Sequence, residues 1–210
     1  MELFAKGFLL QASLILTLGA QNLFVIDVGL KKNNHLLAAT ICSICDVILI
    51  ILGVLGVSAI LVKTPSFKAF IGLTGALFLF YYAVLKFKEV VYGIKEESEK
   101  NKGQLTRKMV ILSTLGFTLL NPHVYIDTFF LVGGFSTQYE SIKEKLSFGI
   151  GAGAFSVIWF YFLAIFSSTF SELLTKERNL RVASLLTGMV LGYLAYSLGK
   201  ESIIDLQKLF

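Results

Sequence analysis

Five stretches of this chain carry no Asp, Glu, Lys or Arg: residues 7–26, 69–85, 109–126, 146–171 and 182–199. A sixth, 33–62, is interrupted only by Asp46. A helix needs about 20 mostly apolar residues to cross the hydrocarbon core of a bilayer. A spanning barrel would need shorter strands of alternating polarity, and these runs do not alternate. Helices are then the way to satisfy the backbone in lipid. The pattern predicts an all-α membrane protein with six transmembrane helices, at about 4–28, 36–61, 68–90, 109–133, 147–170 and 180–199. Composition agrees. The chain is 55% hydrophobic and 16% charged, against roughly 25% charged in a soluble domain.

The first run is read as a retained helix. A cleaved signal peptide has a basic n-region and a short apolar core. Here Glu2 and Lys6 cancel, and the run is long and contains Gln11, Gln21 and Asn22. The net charge of +5 does not indicate nucleic acid, because the basic residues fall between the apolar runs. The smaller share of them (Lys6, Lys63, Lys68, Lys143, Lys145, Lys200 and Lys208) falls on one side of the six segments. Lys31, Lys32, Arg178 and the 86–108 stretch fall on the other. The positive-inside rule then places 91–108 in the cytoplasm and both termini outside, in a bacterial inner membrane.

The most polar stretch, residues 95–104, divides the chain into two groups of three segments: repeat one at about 1–90, a loop at 91–108 and repeat two at 109–210. The halves share short patterns. Q-N-L-F-V-I-D (21–27) and N-P-H-V-Y-I-D (121–127) each put an amide six residues before an Ile-Asp. The third and sixth segments share Thr-Gly, at Thr74 and Gly75 and at Thr187 and Gly188. Repeats of three helices must be inverted relative to each other. Inverted repeats with broken helices at matching positions mark secondary transporters, and the binding site usually lies between them. The chain is therefore expected to form a single transporter domain of two inverted three-helix repeats.

The acids are the sharpest signal. All ten Glu lie in loops or at segment ends, whereas three of the four Asp (Asp27, Asp46 and Asp127) lie within apolar segments. A charge at the bilayer centre costs roughly 2.5–3.5 kcal/mol even on the lenient scale, so such residues face a cavity or a partner. Asp46 has no Lys or Arg within thirteen residues on either side, and it reads as a cation or proton site. Asp127 follows a helix break at Asn121 and Pro122. Proline removes a backbone donor, and freed backbone groups at membrane depth suit a cavity lining. Asp27 has Lys31 one turn later, so an ion pair competes with a site. Gly19, Ala20, Gln21 and Asn22 form a second weak point, where a half-helix N-terminus would attract a carboxylate. His123 is a candidate proton relay.

Other chemistry is less well supported. Cys42 and Cys45 form C-S-I-C inside an apolar run. Zinc would need two further soft ligands, and a thiol carrier would need a second cysteine set to pass electrons on, so packing is the expected use. No metal or cofactor is expected. The Phe and Tyr residues read as lipid-facing or interfacial, with Tyr81, Tyr82, Tyr92, Tyr139 and Tyr193 near segment ends as in an aromatic belt. There is no G-x-x-x-x-G-K-[ST] to bind ATP, and the chain is not expected to be an enzyme.

The motifs L-G-A-Q-N-L-F-V (18–25), G-L-K-K (29–32), C-D-V-I-L-I (45–50) and L-N-P-H-V-Y-I-D-T (119–128) resemble those of the LysE/ArgO family of lysine and arginine exporters, and the resemblance covers essentially the whole chain. The family usually has P-Q-N at the first break. Ala20 stands in the proline's place, which predicts a milder break. Asp46 and Asp127 match acidic positions of the family's basic-amino-acid branch, and Asp27 matches less well.

The resemblance implies efflux of L-arginine or L-lysine across the inner membrane. Such a substrate offers a carboxylate for the helix breaks and a cation for the aspartates. Moving one positive charge outward against about 100 mV costs about 2.3 kcal/mol, and proton exchange would cancel that charge. The expected partners are a basic amino acid, a proton and the bilayer. The expected site is Asp46, Asp127, Asn121, Gln21, Asn22, His123 and Asp27, with helix breaks at Gly19, Ala20 and Pro122. Export of a neutral amino acid or other small solute is the first alternative, and a membrane thiol-disulfide carrier using Cys42 and Cys45 is the second. The small-residue face Gly149-x-Gly151-x-Gly153 permits close helix packing, within the chain or against a second copy.

Overall fold

A computed structural model describes residues 1–16, 19–56, 65–92, 105–125, 127, 131–171 and 177–207, with helix as the regular structure throughout. The elements in order are α1 (Glu2–Ile15), α2 (Ala20–Leu30), α3 (His35–Val54), α4 (Pro65–Tyr92), α5 (Arg107–Leu119), α6 (Pro122–Tyr125), α7 (Gly133–Ser136), α8 (Ile142–Thr169) and α9 (Glu177–Gln207). By length and composition, α3, α8 and residues 181–204 of α9 are able to cross a membrane, and α1 with α2 would make a fourth, bent span. The other two expected segments fall on α4 and on the pieces from α5 onward. Residues 93–104 of the polar loop lie outside the described residues.

Local chemistry sets the boundaries. Glu2 and Lys6 pair at 2.7 Å across the first turn of α1, with the acid on the N-terminal side as an isolated helix prefers. Ser141 and Glu144 form a reciprocal capping box at the start of α8, which satisfies two otherwise orphaned N–H groups. The Thr106 hydroxyl accepts from the Met109 amide at the start of α5. α5 stops before Asn121. Pro122 then opens α6, the position where a missing N–H is harmless.

The two halves are interleaved. α1 packs mainly on α8, α3 mainly on α8 and α5, and α4 mainly on α9. The contact of α1 with α8 is backbone to backbone. A Cβ on Gly7 would fall on the Phe148 carbonyl oxygen, and one on Gly151 would fall on that of Phe4. Gly149 and Gly153 face Val54 and Val47 of α3. The small-residue face of α8 is therefore covered within the chain.

The interior holds apolar clusters around Phe24, Phe117 and Leu191 and around Ile50, Val54 and Phe148. The outer faces are also apolar: Ile44, Ile48 and Leu52 on α3, and Ile158, Phe162 and Phe166 on α8, are exposed at helical spacing. Apolar surface on both sides of a helix is the mark of a lipid-facing bundle. Tyr82 departs from the expected belt. Its ring packs among Phe24, Phe78 and Phe117, because at this register of α4 the inward face is aromatic.

Candidate binding cavity

The first break is sharp. α1 and α2 meet at 79°, although Ala20 replaces the proline that was expected to make the bend. Gly19, whose backbone is extended (φ −88°, ψ 170°), starts α2 afresh. Asn22 braces the corner. Its Nδ2 donates to the Ile15 carbonyl at 2.8 Å, one of the acceptors orphaned where α1 ends. Its Oδ1 accepts from Trp159 Nε1 of α8 at 3.3 Å. The second break is braced in a similar way. The Tyr125 hydroxyl of α6 donates to the Leu119 carbonyl at 2.9 Å, where α5 ends.

Between the breaks lies a cavity of about 380 Å³, within the range that takes a small organic ligand. The last turns of α1, the first turn of α2, Asp46 of α3, and Asn121, Val124 and Asp127 after α5 form its polar side. Leu79 of α4 and Leu194 and Leu198 of α9 form its apolar side. No Lys or Arg lines it among the described residues. Asp46 is 3% exposed and its Oδ1 makes no hydrogen bond. Gln21 and Ser156 lie against its carboxyl, and Asp127 is close enough to act on it through its charge. The Gln21 Nε2 is buried without an acceptor.

The structure thus brings Gly19, Ala20, Gln21, Asn22, Asp46, Asn121 and Asp127 to one cavity, with the Asn22 side chain engaged in holding the corner. Pro122 takes its expected place at the break, and the side chains of Pro122 and His123 lie outside the described residues. Asp27 is elsewhere. It belongs to a four-membered ion cluster joining α2 to α4: Lys86 Nζ lies 2.7 Å from Asp27 and 3.0 Å from Glu89, and Lys31 lies 3.3 Å from Asp27 and 2.8 Å from Glu89. Ser184 of α9 donates to Glu89 at 2.8 Å. Asp27 is thus placed as a structural ion-pair partner, not as a lining group. Cys42 and Cys45 are free thiols, and Cys42 packs against Val25, Phe160 and Leu163.

Sequence reasoning missed Gln11 and Ser156. Gln11 lines the cavity and is 2% exposed, and its Nε2 donates to Ser156 Oγ at 3.0 Å. The available signal was an amide standing alone in an otherwise apolar turn, ten residues before Gln21.

Comparison with known proteins gives one consistent picture. Residues 12–202 match the family described as LysE type translocator. The chain is 34% identical to the arginine exporter protein ArgO of Yersinia enterocolitica over 97% of its own length and 98% of the relative's. It is 34% identical to that of Photorhabdus laumondii, over 96% and 97%, and 33% identical to that of Escherichia coli O157:H7, over 98% and 97%. No solved structure matches.

Proposed function

The chain belongs to the LysE type translocator family, a family of transporters and not of enzymes, and on that premise we propose that it exports L-arginine, L-lysine or both across the bacterial inner membrane in exchange for protons. The carrying observation is the cavity. It places two aspartates, from helices in different halves of the chain, between two helix breaks. The relatives' name as arginine exporters supports the same substrate class.

In this reading the substrate cation sits on Asp46 and Asp127, and its carboxylate lies towards the start of α2. There the first-turn N–H groups have no intrahelical acceptor, and the helix dipole favours a negative charge. When the cation leaves, a proton takes its place on the carboxyl pair. Alternation between the two occupants couples export to the proton gradient and removes the roughly 2.3 kcal/mol per 100 mV that uncompensated charge movement would cost.

The proposal extends to a single domain of six spans built as two inverted repeats. The packing supports it. If 1–92 and 105–207 are each three spans, the first span (α1) packs on the fifth (α8) and the fourth (α5) on the second (α3), while second packs on fifth and third on sixth. A two-fold relation between the halves generates that pattern. The braced corners, one per half, add to it.

The test is export from cells loaded with arginine- or lysine-containing dipeptides, comparing wild type with Asp46→Asn and Asp127→Asn. Wild type should lower the intracellular basic amino acid, and both variants should fail at normal membrane levels. Normal export by Asp46→Asn would overturn the coupling mechanism.

A further inference from the structure

We infer that Gln11 is a specificity-determining residue: its Oε1, in the cavity that Asp46 also lines, accepts a hydrogen bond from the substrate's side-chain cation and favours guanidinium over ammonium. The inference rests on the export reading above and deepens it.

The observation is an acceptor with no donor. Gln11 is 2% exposed and lines the cavity, yet its Oε1 makes no hydrogen bond. The large majority of buried polar side-chain atoms are satisfied; of the five exceptions among the described residues, three belong to residues that line this cavity, Gln11, Gln21 and Asp46. Ser156 is wholly buried on α8 and lies against the Asp46 carboxyl. A hydroxyl has one proton and two lone pairs. Ser156 accepts from Gln11 Nε2 at 3.0 Å. The amide oxygen is thereby turned away from Ser156. Asp46 Oδ1 is the second buried acceptor without a partner. Two residues that line the cavity, on α1 and α3, therefore each carry a buried acceptor without a donor, and no described lining residue is Lys or Arg.

A ligand that completes this arrangement must be rich in donors. Guanidinium offers five N–H groups in a fixed plane, is weakly hydrated, and serves two separate acceptors from different nitrogens. Ammonium directs three donors from a single, strongly hydrated nitrogen. Because Gln11 is neutral, it adds nothing to general attraction for cations. Its contribution is directional, so its loss should weigh on arginine more than on lysine.

The experiment uses purified protein in liposomes and measures kcat/KM for arginine and for lysine in wild type, Gln11→Leu and Ser156→Ala, with thermal unfolding of each. Gln11→Leu should lower arginine transport at least about tenfold, the loss expected for one hydrogen bond to a charged group. Lysine transport should fall by less than about threefold. If Gln11 only ties α1 to α8, both variants will lose thermal stability while the arginine-to-lysine ratio stays at the wild-type value, and the inference is overturned. Should Gln11→Leu fail to accumulate, Gln11→Asn withdraws the same oxygen by one methylene. An unchanged ratio there is equally fatal. A wild-type protein that moves neither amino acid defeats the export reading and this inference with it. Wild-type transport with an unaltered ratio in the variants defeats the inference alone.

Discussion

Lys86 is the residue whose role the amino-acid sequence hides best. It stands at the end of an apolar run, is 5% exposed and lies between Asp27 and Glu89. A buried charge deprived of its partner is costly, whereas removal of both partners is often nearly neutral. Lys86→Met should therefore destabilise the protein by about 3–5 kcal/mol, seen as a lower unfolding temperature in detergent. The double variant with Asp27→Asn should recover most of the loss. If Asp27→Asn alone abolished export while leaving stability intact, Asp27 would act in transport after all. Asp46, Asp127 and Asn121 were legible from sequence for the converse reason: a polar group in a long apolar run stands out. Gln11 did not, because one amide in an otherwise apolar turn carries no charge and matches no motif. Tyr82 was misread because proximity to a segment end says nothing of which face a residue occupies.

At the scale of elements, the breaks define the cavity, and their chemistry differs from what the residues suggest. Pro122 announces the second break openly. The first was expected to be mild with Ala20 in the proline's place, yet it bends by 79°, with an extended Gly19 and the Asn22 brace at the corner. Ala20 is the first residue of α2 and follows an extended Gly19. That is the setting proline accepts: a first helical position after an extended residue. Ala20→Pro should keep export intact and leave stability unchanged or raised by up to about 1 kcal/mol, measured by thermal unfolding. A loss of several kcal/mol would mean that the Ala20 amide has an acceptor that the corner needs. Helix existence was legible from run length. The corner was not, because the Asn22 side chain that braces it reaches back to a carbonyl seven residues away.

The whole molecule is held together across its halves. The largest contacts within it, α4 with α9, α1 with α8 and α3 with α8, all join the first three segments to the last three. Expressed alone, residues 1–100 or 101–210 should fail to accumulate in the membrane, and co-expression should restore both fragments and export. Immunoblots of membrane fractions would show this, and stable accumulation of either fragment alone would contradict it.

The shortness of α1 bears on how such a chain is made. Its 14 residues reach about 21 Å as a helix, less than the ~30 Å hydrocarbon core. Its amide partner, Ser156, lies 145 residues further along. At about 5–20 residues per second, synthesis takes roughly 7–30 s to arrive there. Throughout that interval the first segment holds a glycine notch and an unpaired amide without cover. The packing of α1 is therefore completed only after α8 has been made, late in the translation of the chain whose beginning it is.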